Sequence, residues 1–280
     1  MIGAFGFLSE YNLLESVFRL EDIIDYASNE KYPFIALADS NNLYGSYKLF
    51  KHAKTPYIIG MKLDIVHLEQ NTSILVYALN DKGFKHLIIL SSLVQLNENK
   101  RLQFKDILPY KEGLYFISSG HESDIDINIQ KGLLDEAKTR LSDYKNNLPN
   151  FSVGLALQTM NQEIQIAPHL KVIAKEENVL LLPLNYMSYL KEDWYAYDVF
   201  IQIQNIGKKR LDEMDLSFLT LVQIEERFSD YKEVFSNLEA VFKKFEFNYQ
   251  KPQFHLVSPI KSKDHQKALH ELAYAGLNQI

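Results

Sequence analysis

The 280-residue chain contains no cysteine, which excludes disulfides and thiolate metal ligands and fits a reducing cytoplasm, the expected compartment. Proline occurs eight times and glycine eleven, leaving long uninterrupted stretches for regular secondary structure. No apolar run approaches the roughly 20 residues of a membrane span. The apolar start, Met1 to Leu8, is too short for a signal sequence and has no basic residue before Arg19. No membrane partner is expected. Asn71-Thr72-Ser73 spells a glycosylation triplet, but nothing marks the chain for secretion. An excess of positive charge is also missing. Thirty Lys and Arg against 36 Asp and Glu give a net charge of -6, so DNA contact is expected to be weak or absent. There is no phosphate-binding glycine loop and no nucleophile-base pair. A chain of this length buries roughly 75% of its unfolded surface, so it needs neither metal nor disulfide to hold a core.

What is present is alternation. Met1–Leu8 reads as a buried strand. Leu20, Ile23, Ile24 and Ala27 fall on one helical face. Strands are expected near Phe34–Ala38, Tyr57–Gly60, Leu63–Leu68, Ser73–Leu79, Gly113–Ser118, Phe151–Leu157 and Val179–Leu184, with a break at Gly60-Met61-Lys62. Helices are expected after the Asn80-Asp81 cap, over Gly132–Tyr144, near Glu163–Glu177 and over Glu192–Gln204. Repeated strand-helix units predict an α/β fold with a mainly parallel sheet. From Leu219 helical signals dominate, with Leu238, Val241, Phe242 and Phe245 on one face. The expected division is a domain over 1–218 and a helical extension over 219–280.

The organising stretch is Pro33 to Gly45. Five apolar residues stop at Asp39-Ser40-Asn41-Asn42 and feed an amphipathic run, the top of a β/α unit where chemistry is usually placed. Asp39 itself reads as a helix N-cap. This segment resembles the Ala-Leu-Thr-Asp-His-Gly-Asn-Leu-Tyr-Gly segment of PHP (polymerase and histidinol phosphatase) domains. It keeps Asp39, Asn42, Leu43, Tyr44 and Gly45 but carries Ser40 in place of a metal-binding His. The resemblance implies a distorted TIM-like (β/α)7 barrel with a helical C-terminal extension. It points to PHP domains that open the alpha subunit of bacterial DNA polymerase III. Lys251-Pro252-Gln253-Phe254, followed by Leu272-Ala273-Tyr274-Ala275-Gly276-Leu277, resembles that family's exit toward the polymerase core.

PHP enzymes hold divalent metals at the barrel mouth with His, Asp and Glu, generating a hydroxide nucleophile. Carried onto this chain, the pattern implies a degenerate site. Gly6 and Leu8 stand for the opening His-x-His, and Glu15 keeps a carboxylate. Lys62 replaces a ligand Glu, and His121 stands at a position that is often Cys. Met160 replaces a His, and Tyr186 and Ser188 replace the closing Asp and His. Glu15 and His121 alone remain as candidate ligands, short of the three or so that a catalytic metal needs. Lys62 is expected to pair with Glu15 or Asp39 and supply the missing charge, or else to point to water. Ser123-Asp124-Ile125-Asp126-Ile127-Asn128 reads as a solvated loop and His270-Glu271-Leu272-Ala273-Tyr274 as an ordinary helix. His67 reads as a surface or helix-end residue and Lys208-Lys209-Arg210 as a solvated loop.

The expectation is a structural and subunit-docking platform with no catalytic residue, no metal and no cofactor of its own. Its partners would be the rest of a polymerase chain, where Mg²⁺ would be used, and other replisome subunits. The alternatives are an active metal-dependent phosphoesterase or 3'-5' exonuclease, and a free-standing TIM-like metabolic enzyme.

Overall fold

The structure, a computed structural model, describes residues 1–158, 162–204, 215–246 and 264–277. Strand β1 (Phe5–Phe7) is wholly buried, and α1 (Leu20–Asn29) turns Leu20, Ile23, Ile24 and Ala27 inward as one stripe. Only Ile35–Ala36 (β2) of the expected Phe34–Ala38 run pairs as a strand, although all five side chains are buried. Helix α2 spans Ser46–His52, and β3 is Tyr57–Ile58. Strands β4 (Gly60–His67) and β5 (Gln70–Ala78) form a hairpin. The expected break over Gly60-Met61-Lys62 is absent: the interruption falls at Ile59, and β4 starts at Gly60 and continues through Met61 and Lys62. Glycine is required at position 60 because a β-carbon would meet the Tyr77 ring at 2.1 Å. The hairpin turns on Leu68 and Glu69, both left-handed at φ 44° and 66°, as a two-residue primed turn demands.

Helix α3 (Asp81–Leu96) starts where Asn80 accepts the Gly83 N–H at 3.0 Å, the cap that Asn80-Asp81 signalled. Next come β6 (Leu102–Gln103), α4 (Phe104–Ile107), β7 (Leu114–Ser118), α5 (Asp124–Gln130) and α6 (Leu134–Asn147). Then follow β8 (Phe151–Ala156), α7 (Gln162–Glu176), β9 (Leu181–Met187), α8 (Trp194–Gln204), α9 (Leu221–Arg227) and α10 (Glu233–Phe242).

The strand order is β1-β9-β8-β7-β5-β4-β6, and β5 alone runs against its neighbours. Two bridges close the ends. Phe7 pairs with Leu37 and Ser40 with Lys62, so β2 joins β1 to β4. Backbone hydrogen bonds from Ala38 N–H to Phe7 O (2.8 Å) and from Lys62 N–H to Asp39 O (3.0 Å) fix the closure. The result is a distorted seven-strand α/β barrel, as expected. Its interior is apolar and aromatic, built from Phe5, Leu8, Leu75, Tyr77, Tyr115, Leu184 and Tyr186 among others.

Leu238 and Val241 of α10 pack onto that same core, so the compact first unit extends over Met1–Asn248 and the expected division after residue 218 falls inside it. The second unit, Tyr249–Ile280, has α11 (His265–Leu277) as its described element, an ordinary helix as expected, with Leu269, Leu272 and Leu277 exposed. The Lys208-Lys209-Arg210 and Pro252 segments lie outside the described residues. Among the described residues, no helix is long and apolar enough to cross a membrane.

Candidate functional site

The pleat of β4 sends Met61, Leu63 and Ile65 to the buried face and Lys62 and Asp64 to the other. Lys62 and Asp64 form one wall of a cleft of about 330 Å³ at the barrel mouth, which Glu15, Ser40, Thr72, Ser73, Arg101 and Glu122 also line. Ser40 arrives through its bridge to Lys62. Glu15 is brought in by the loop after β1. The Ser40 N–H donates to Asn12 Oδ1 at 2.7 Å, and the Ser40 hydroxyl donates to Glu15 Oε2 at 3.1 Å. The Ser16 hydroxyl pins the same loop to the Leu8 and Ser188 carbonyls at 2.7 and 2.8 Å.

Of the expected site positions, Glu15, Ser40 and Lys62 share this cleft. Leu8 and Tyr186 sit below it in the barrel core, and Ser188 is buried against the β1 loop. Gly6 is pressed against Asn185 of β9. His121 meets the Tyr186 ring edge-on at 6.1 Å, with Nδ1 3.7 Å from Glu163 Oε1. Met160 lies outside the described residues.

Two expectations change. Asp39 does not cap a helix. It is buried, accepting the Ser9 N–H at 2.7 Å and the Ser9 hydroxyl at 2.6 Å, so it ties β2 to the loop after β1. Lys62 pairs with neither Glu15 nor Asp39, and it does not point to water. It is 7% exposed, and its Nζ lies 2.8 Å from Glu122 Oε2. Glu122 was missed because its place in the cleft depends on the chain beyond β7 folding back over β5, where Ser73 donates to it at 2.9 Å.

Burial alone would raise Glu122, but Lys62, His121 and the Ser73 hydroxyl outweigh it and hold the carboxyl at about 2. Burial would lower Lys62, yet the Glu122 and Glu15 carboxylates keep it above the ordinary lysine value. Asp39 goes the other way: burial raises it to about 6, and the two Ser9 hydrogen bonds only soften the rise. The cleft thus holds a fixed cation against a fixed anion.

These residues do not fit a PHP-type metal centre. A β-carbon at Gly6 would meet Asn185 O at 2.6 Å, so no ligand projects from that position. Leu8 is apolar and packed, and the Ser40 hydroxyl is spent on Glu15. Lys62 places a positive charge where a cation would go. Among the described residues, no group of three or more His, Asp or Glu side chains is arranged to hold a metal ion.

Below and beside the cleft lies a buried polar network that the sequence reading missed. Ser123 to Asn128 is not a loop: Ser123 caps α5 by accepting the Ile125 N–H at 3.2 Å, and Asp124, Asp126 and Asn128 are buried. His67, expected near the surface, is 1% exposed, with Nδ1 2.7 Å from Asp124 Oδ2 and Nε2 2.8 Å from Asp143 Oδ2. Tyr144 donates to Asp124 Oδ1 at 3.1 Å, and Arg140 reaches Asp124 Oδ2 at 3.5 Å.

Asp126 is less well served. Its Oδ1 has no hydrogen-bond partner among the described residues, and burial, with Glu163 and Asp124 nearby, raises its carboxyl well above the ordinary value. Ionisation of Asp126 is therefore penalised in the folded state only above the unfolded carboxylate range. Asp126→Asn is expected to stabilise the protein by about 1 kcal/mol near neutral pH, with the gain shrinking toward about pH 4. Urea unfolding at the two pH values checks this; an equal gain at both would refute the assignment.

The chain can now be set beside known proteins. A family model described as PHP domain matches residues 7–160. The DNA polymerase III subunit alpha of Halalkalibacterium halodurans is 27% identical over 235 residues, covering 80% of this chain and 21% of that protein. The Bacillus subtilis subunit alpha is 25% identical over the same coverage, and that of Rickettsia felis is 35% identical over 117 residues, 38% of this chain. The chain thus spans about a fifth of the length of the relatives that it matches most fully. With the family model covering more than half of its residues over a seven-strand α/β barrel, the chain belongs to the PHP domain family.

Proposed function

We propose that the chain is the non-catalytic PHP module of a DNA polymerase III alpha-type protein. It would act as a scaffold on which a polymerising region packs and other replisome subunits dock, while Mg²⁺-dependent nucleotidyl transfer is carried out elsewhere in such a protein. The observation that carries the reading is the Lys62 ammonium, buried in the cleft wall and paired with Glu122 at 2.8 Å. A fixed cation there opposes both metal loading and the hydroxide chemistry that a metal supplies.

Calorimetric titration of the purified chain with Mn²⁺ and Zn²⁺ is expected to show no stoichiometric site, and bis-p-nitrophenyl phosphate is expected to stay intact with either metal. Tight one-to-one or two-to-one binding, or metal-dependent hydrolysis, would restore the phosphoesterase alternative.

A further inference from the structure

The surroundings of Lys62 are those of a bound cation. Its Nζ lies 2.8 Å from Glu122 Oε2 and 5.9 Å from the centre of the Tyr186 ring, and the carboxylates of Glu15 and Asp64 line the same cleft. Each of these anions is anchored independently of the lysine. Ser73 donates to Glu122 at 2.9 Å, Ser40 to Glu15 at 3.1 Å, and Asn41 Nδ2 to Asp64 Oδ2 at 2.9 Å. Tyr186 is fixed at its hydroxyl, which donates to Ser119 O at 3.0 Å. The cage is therefore built by neutral donors and strand backbones, and it does not depend on the lysine to assemble. A carboxylate beside an aromatic face, with further carboxylates behind, suits a small ammonium ion.

We propose that the cleft around Lys62 is an ammonium-binding site whose resident ion is tethered, the ε-ammonium of Lys62, and that shortening Lys62 leaves a site able to take a free primary alkylammonium. The inference rests on the reading that the mouth holds no catalytic divalent centre, and the two fail separately. Metal binding by the unaltered chain would overturn that reading, whereas absence of amine rescue overturns only this one.

The experiment is thermal unfolding of Lys62→Ala. Removing the ammonium leaves Glu122, whose side chain is 38% exposed, to the Ser73 hydroxyl and water, and leaves the space of the buried lysine stem unfilled, so the midpoint is expected to fall by about 3–6 °C. Ethylammonium chloride at about 0.2 M is expected to regain about half of that loss, while sodium and tetramethylammonium chlorides at equal ionic strength regain little, since screening is then matched. Equal recovery with all three salts, or none with any, overturns the proposal. Lys62→Met, which fills the space with an apolar chain, is expected to lose stability without amine rescue.

Should Lys62→Ala not fold, Lys62→Cys serves, because the chain has no other cysteine. In denaturant its thiolate displaces bromide from 2-bromoethylamine, forming an S–C bond and a side chain of lysine length ending in ammonium. Alkylation with iodoacetamide gives a neutral control. The aminoethylated chain is expected to refold with nearly the original midpoint and the neutral adduct is not. Identical midpoints for the two adducts overturn the proposal.

Discussion

Gly6→Ala is expected to destabilise the protein by about 3–5 kcal/mol, a drop in melting temperature on the order of 10 °C. Gly6 has φ +121°, a backbone conformation that side chains disfavour. A β-carbon there would come within 2.6 Å of Asn185 O, 2.9 Å of Asn185 C and 3.1 Å of Tyr186 N, all of them backbone atoms of a paired strand. The β1–β9 register shifts between Phe5 and Phe7, so the glycine sits at an irregularity where the strands crowd. No side-chain rotation relieves that contact; β1 would have to move off β9.

The consequence reaches the metal question. Installing histidine at Gly6, even together with Leu8→His, Ser40→His and Lys62→Glu, is expected to give a damaged barrel and no Mn²⁺ site. Differential scanning calorimetry and metal titration of the single and combined variants check both statements. A Gly6→Ala protein within about 1 kcal/mol of the parent would show that the strands can part and that the site is recoverable.

His67→Ala carries the second large effect, again about 3–5 kcal/mol. Both ring nitrogens lie within hydrogen-bond distance of carboxylate oxygens, so the imidazole joins Asp124 of α5 to Asp143 of α6. Its ring also packs on Tyr144 at 4.2 Å and on Phe104 at 4.7 Å between centroids. Alanine would leave a void and leave Asp124 Oδ2, fully buried, with only the 3.5 Å contact to Arg140. Asp143 is partly exposed, and water can replace its partner. Asp143→Asn is therefore expected to cost less than about 1 kcal/mol, and Asp124→Asn appreciably more. Denaturant unfolding of the three variants tests the ordering; a larger loss at Asp143 than at Asp124 would refute the account.

Much of the barrel was legible in the chain because it follows from local periodicity. The stripe of Leu20, Ile23, Ile24 and Ala27, the Asn80 cap and the apolar runs of β7, β8 and β9 signal elements within windows of a dozen residues. The β4–β5 turn gave no such signal, since Leu68-Glu69 adopts the primed conformation without the Asn-Gly that usually marks it. The Ser123–Asn128 segment was misread for a related reason. Aspartates alternating with isoleucines look solvated until His67, Arg140 and Tyr144 arrive from other elements to hold Asp124 in the interior.

The barrel mouth divides along the same line. Motif order implies, by resemblance, that Gly6, Leu8, Ser40 and Lys62 occupy the positions of PHP metal ligands. The partner of Lys62 could not be read that way, because Glu122 reaches the cleft only through strand pairing between β4, β5 and β7. The placement of Asp39 is of the same kind, set by Ser9 from a separate strand-loop junction. The sequence by itself determined the kinds of side chain and the order of strands and helices. Only the tertiary structure decided which charge neutralises which, because burial and ion pairing depend on distances between segments far apart in the chain.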